Sequence, residues 1–115
     1  MITLYGIPNC DTVKKARTWL ESNNQDYEFH DFRKDGLNTE MLDDWLKFVD
    51  WQLLLNKHST TWRGLDDSIK NNINLELAKT VMLENPTLIK RPVLKMDNTV
   101  MVGFKADLYQ AALLD

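Results

Sequence analysis

The apolar positions change period repeatedly along the chain. Ile2 to Tyr5 is β-rich and weakly alternating, and Gly6-Ile7-Pro8-Asn9 follows it as a loop. From Asp11 the spacing turns helical. Val13, Ala16, Trp19 and Leu20 fall on one face, and Lys14, Lys15, Arg17 and Glu21 are left to water. Asn23-Asn24 ends this helix, because asparagine tolerates the left-handed conformation of a helix C-terminus. Tyr27 to Phe32 reads as a second strand. Strand, helix and strand within roughly 30 residues are the size of a βαβ unit, which predicts a parallel pair with a right-handed crossover.

The middle of the chain has no β-pattern from Gly36 to Glu84. Asp35-Gly36-Leu37-Asn38 is a turn. Leu42, Trp45, Leu46 and Val49 then recur at helical spacing, with Thr39 the expected N-cap. A short apolar piece, Trp51 to Leu55, leads into a polar loop from Asn56 to Gly64, and Asn74 to Glu84 is helical again with Ala78, Val81 and Met82 inward. After Asn85-Pro86 the β-pattern returns. Val93 to Met96 and Thr99 to Val102 flank Asp97-Asn98, a two-residue polar turn of the hairpin kind. Ala106, Tyr109, Ala112 and Leu113 define a terminal helix. The order is βαβ, a helical insertion at about residues 37–85, then ββα: an α/β protein expected to form a single domain over residues 1–115.

Composition narrows the function. A chain of 115 residues is one ordinary domain. A formal charge of −3 argues against sequence-independent nucleic-acid binding, which needs a basic face to release counterions. The single cysteine, Cys10, excludes an internal disulfide. No CxxC or HxxxH spacing suggests a metal site, so none is expected. The first residues lack a signal-peptide pattern and no apolar run approaches a membrane span, so a reduced, cytoplasmic monomer is the expectation.

Cys10 sits where the first loop meets the first helix. The unpaired N–H groups and the positive dipole end there favour an anion, so a thiolate at this position has a lowered pKa and is nucleophilic near neutral pH. Position alone leaves a second reading open, a small buried hydrophobe. Lys90-Arg91-Pro92-Val93 opens the later strand. Arg91 can pair with a carboxylate or similar oxyanion, or be an ordinary surface arginine, and X-Pro is the one bond with a realistic chance of being cis. Thr12 is placed to donate a hydroxyl to the thiolate or simply to start the helix. Lys14, one turn on, adds positive potential or is a solvated face. Arg63 lines the cleft or lies on the surface of the insertion. His30 and His58 read as packed or solvated side chains, and Trp62 as packing.

Several spaced blocks resemble the arsenate reductase-like family, which includes the Spx regulators, and are most similar to its YffB-like subgroup. They are Ile2 to Ala16, Asp31 to Leu37, Leu54 to Lys57 with Thr60 to Arg63, Asn85 to Val93, and Val102-Gly103-Phe104. The resemblance implies a thioredoxin-like fold with a mixed four-stranded sheet. It also implies that Cys10 is the redox-active thiol, that Arg91 binds substrate or thiolate, and that Pro92 is a cis-proline facing the cysteine. Asn9, beside Cys10 in the first block, joins the same substrate-binding set. Arsenate reductases of this family have a histidine four residues before the cysteine, where this chain has Gly6, and further arginines where it has Asn56 and Phe104-Lys105. Arg91 with Lys105 suits a tetrahedral oxyanion poorly.

One thiol has no internal partner to resolve a mixed disulfide, so resolution must come from outside. The expected function is a glutathione-dependent thiol-disulfide reductase, with glutathione or another small thiol as co-substrate, no bound cofactor, and a protein disulfide among the substrates to consider. The alternatives are an Spx-like protein that binds RNA polymerase, and an arsenate reductase.

Overall fold

A computed structural model describes residues 1–115. In chain order the elements are β1 (Ile2–Gly6), α1 (Asp11–Ser22), β2 (Tyr27–Asp31), α2 (Thr39–Trp45), α3 (Trp51–Leu54), α4 (Thr60–Arg63), α5 (Asp67–Lys70), α6 (Leu75–Glu84), a 3₁₀ turn (Pro86–Leu88), β3 (Val93–Met96), β4 (Thr99–Val102) and α7 (Ala106–Leu113). They fall into a sheet unit, Met1–Gly36 with Arg91–Asp115, and a helical unit, Leu37–Lys90. No helix is long and apolar enough to cross a membrane.

The sheet unit has strand order β2-β1-β3-β4. The expected parallel pair is present, with Ile2 opposite Tyr27 and Gly6 opposite Asp31. β3 runs antiparallel to β1, with Ile2 opposite Met96 and Tyr5 opposite Val93. The β3–β4 hairpin turns through Asp97, which takes φ +48°. Ile2, Leu4, Ala16, Leu20, Leu94 and Tyr109 form the core, and burying each large apolar side chain is worth about 1.5–3 kcal/mol. Trp19 is half-buried rather than a full core residue, and meets Tyr109 edge-on at 5.6 Å. On α7, Tyr109 supplies the buried contact while Ala106 and Ala112 stay exposed, because one large ring fills the space under so short a helix.

Polar contacts fix α1 on this sheet. The Arg17 guanidinium lies 4.2 Å above the Phe29 ring, and its Nε donates to the Tyr27 hydroxyl at 3.0 Å. That hydroxyl in turn donates to Glu21 at 2.6 Å. The helix ends as its asparagines suggest: Asn24 takes φ +58°, and the Asn23 amide donates to the Trp19 carbonyl.

The helical unit buries Leu42, Trp45, Leu54, Leu55, Ala78, Val81, Met82, Leu88 and Ile89. It runs to Lys90 rather than about 85. The 3₁₀ turn carries Leu88 and Ile89 into the helical core, and Leu55 and Ile89 form a bridge flanked by Asn56 N–H to Leu88 O and Lys90 N–H to Leu54 O. The N-cap of α2 is Asn38, not Thr39: the Asn38 side-chain oxygen accepts from the Met41 N–H at 2.9 Å, and Thr39 is already the first helical residue. The polar loop expected over 56–64 contains α4, whose cap Ser59 accepts from the Trp62 N–H. Trp62 is half-buried, with Lys57 Nζ 5.5 Å from its ring. An ion pair of 2.7 Å joins Lys79 of α6 to Asp43 of α2.

Candidate functional site

The chain leaves β1 at Gly6, turns through Ile7-Pro8-Asn9, and enters α1 with Cys10 as N-cap residue. The Cys10 N–H donates to the Ile7 carbonyl at 3.1 Å, and the Cys10 carbonyl accepts from the Lys14 N–H at 3.0 Å, which holds the cysteine backbone from both sides. The turn is drawn tight against the helix at Gly6. A Cβ there would lie 2.8 Å from Val13 Cγ2, closer than real side chains come.

Register brings the second element in. β3 pairs antiparallel with β1 and Tyr5 faces Val93, so Pro92 and Arg91 extend past the end of β1 toward the Cys10 turn. The Arg91–Pro92 bond is cis, and the Pro92 carbonyl accepts from the Gly103 N–H at 2.8 Å. Gly103 takes φ +81°, a conformation glycine adopts without strain, as the chain leaves β4.

Cys10 is half-buried. Burial is the largest single influence on its thiol and opposes ionisation. The Val13 N–H, the Arg91 side chain and the Thr12 N–H favour the charged form and together outweigh it, so the thiol sits below its ordinary value. Cys10 closes no side-chain cap hydrogen bond as a neutral thiol, which leaves these donors to the charge the sulfur acquires. Nε and Nη1 of Arg91 are buried without a hydrogen-bond partner.

The other expected residues separate. Thr12 acts on the sulfur through its main-chain N–H, not the hydroxyl. Asn9 is exposed in the turn. Lys14 is exposed and is not among the groups that shift Cys10, where Arg91 is the charge that counts. Arg63 belongs to the helical unit, exposed at the end of α4, with its carbonyl accepting from Lys70 Nζ. His30 packs against Tyr5 at 5.1 Å and its Nε2 meets the Gly36 carbonyl at 2.6 Å, while His58 is exposed. The Val13 N–H is one of the unpaired donors expected at the helix start, though nothing in the sequence singles it out from the other first-turn N–H groups.

The sheet unit, with a cysteine at the start of its first helix and a cis X-Pro bond just before β3, is a thioredoxin-like α/β fold. The chain belongs to the ArsC family, whose model matches residues 5–112. It is 49% identical over 112 residues to an uncharacterized protein of Haemophilus influenzae, covering 97% of this chain and 98% of that one. It is similar to the solved structure of the YffB (PA3664) protein, with 45% identity, a TM-score of 0.94, and 98% and 99% of the two chains covered. It is also 24% identical to the global transcriptional regulator Spx of Lactiplantibacillus plantarum, over 93% of this chain and 82% of the regulator.

Proposed function

We propose that the protein is a glutathione-dependent thiol-disulfide reductase that works through Cys10. The observation that carries this reading is the charge balance at the sulfur: Val13, Arg91 and Thr12 supply more stabilisation to a thiolate than burial removes. The thiolate attacks one sulfur of a disulfide, forms a mixed disulfide with Cys10, and expels the other half as a thiolate. No second cysteine exists to resolve the adduct, so a glutathione thiolate attacks it, which restores Cys10 and yields the oxidised product. Arg91 supports the thiolate through a side-chain hydrogen bond and its positive charge. The setting is the cytosol, where the reduced thiol is abundant.

Mass spectrometry after incubation with oxidised glutathione tests this. The expected result is one adduct, confined to Cys10, absent in Cys10→Ser and weakened in Arg91→Ala. No adduct on the wild type would defeat the proposal. The likeness to Spx supports a second reading, a regulator that binds RNA polymerase. Capture of polymerase by a protein that forms no glutathione adduct would select it. Turnover of arsenate with glutathione would select the oxyanion chemistry of the family name instead.

A further inference from the structure

α1 turns Val13, Ala16 and Leu20 into the core, and its neighbouring face borders an open groove. Lys14, Lys15, Thr18, Trp19 and Ser22 line it from the helix, with Phe104 and Ala106 opposite, and its volume is about 470 Å³. That lies within the ordinary range of small-molecule sites. Its aromatic walls are held in place: Trp19 and Phe104 both stand edge-on to the buried Tyr109, at 5.6 Å and 4.8 Å. No carboxylate lines the groove. Lys14 and Lys15 are exposed and take no part in the ion pairs of Lys70 with Asp67 and Lys79 with Asp43. Asp11, one turn before Lys15, makes no ion pair with it.

The groove continues the row that starts at the thiol. Cys10, Lys14, Thr18 and Ser22 follow one another at i, i+4 spacing, which stacks them along one side of the helix. Lys14 lies about 6 Å along the axis from Cys10, and helical side chains lean toward the N-terminus. A mixed disulfide whose glutathione sulfur meets Cys10 can therefore run its other half along this row into the groove, with its charge against Lys14. Glutathione is polar throughout and does not match the apolar walls.

We propose that this groove binds the non-glutathione half of the substrate, a small organic thiol R–SH with an aromatic or aliphatic body and a carboxylate. The inference rests on Cys10 as the attacking thiol. In the mixed disulfide GS–S–R, the Cys10 thiolate attacks the glutathione sulfur, the S–S bond breaks, and R–S⁻ leaves and takes a proton from water. Glutathione then attacks Cys10–S–SG, restoring the Cys10 thiolate and forming glutathione disulfide. The sum is GS–S–R plus GSH giving R–SH plus GS–SG.

The test compares two reagents on the full-length protein: 5,5′-dithiobis(2-nitrobenzoate), an aryl disulfide with carboxylates, and 2,2′-dithiodipyridine, a neutral one. Thr18→Glu puts a carboxylate on the exposed floor of the groove. It is expected to slow the anionic reagent about tenfold relative to the neutral one, and Lys14→Gln with Lys15→Gln to act in the same direction. Asn98→Glu makes the same charge change in the β3–β4 turn, at the other end of the sheet, and is expected to leave the ratio of the two rates unchanged. An unchanged ratio in Thr18→Glu, or an equal change in Asn98→Glu, would overturn the groove. A wild-type rate that falls with rising protein concentration would overturn it too, by marking a second copy as the occupant. Failure of the wild type to react with the neutral reagent would instead defeat the attacking thiol itself.

Discussion

The two units treat helix N-termini differently. In the helical unit every α-helix is closed by a side chain: Asn38, Asp50, Ser59, Asp66 and Asn74 each accept a first-turn N–H. In the sheet unit neither does this, with Cys10 starting α1 and Lys105 starting α7. Caps stabilise short helices, and the helices of 4–10 residues in the helical unit need them. α1 has a sheet to pack on and can leave its first donors uncommitted. Those donors then act on the charge of Cys10. The contrast teaches that helices packed on the sheet can do without a cap, and that at α1 alone the uncapped donors meet a group able to take up charge.

Replacing the thiol has the largest effect. Cys10→Ser abolishes the glutathione adduct, yet supplies a preferred N-cap, so chemical denaturation at a pH where the thiol is protonated should show stability unchanged or raised by up to about 1 kcal/mol. A loss of stability in this variant would break the contrast. Next comes Gly6→Ala, which drives a methyl group into Val13 in the first turn of α1. A β-branched side chain in a helix has little rotamer freedom to yield, so urea melts should show a cost of about 1–3 kcal/mol. No change in the melt would mean that the tight turn does not hold the helix start.

The strands, the hairpin and α1, α6 and α7 were legible because each repeats a hydrophobic period long enough to read. α4 and α5 were not, since a four-residue helix completes barely one turn and shows no period. Their only marks are the caps Ser59 and Asp66, which read equally well as loop residues. Asn38 and Thr39 are adjacent and both residue types cap helices, so the sequence alone does not choose between them. In the site, the place of Cys10 followed from strand, loop and helix in succession. The reach of Arg91 came only through the family resemblance, because it depends on the β1–β3 register, which pairs residues some ninety positions apart. The Trp19–Phe104 groove was hidden likewise, as α1 and the segment after β4 meet only in three dimensions.

Two smaller predictions sharpen the comparison. Arg91→Met keeps much of the side-chain bulk and removes the charge, so iodoacetamide alkylation at neutral pH should slow severalfold while the melt changes little. An unaltered rate would assign the thiol shift to the helix start alone. Asn74→Ala removes a cap in the helical unit and should cost about 1 kcal/mol with no change in alkylation rate. A changed rate there would mean that the helical caps bear on the thiol after all.

The pH dependence of Cys10 alkylation tests the central claim most directly. Only the thiolate reacts, so the rate rises through the thiol pKa of the folded protein. Because that value is lowered, folding stability should also rise with pH between the folded and unfolded thiol values and level off above the latter, an effect absent in Cys10→Ser. The account predicts an alkylation midpoint below the unperturbed thiol value of about 8.5, moving up in Arg91→Met. A midpoint at or above that value would contradict it.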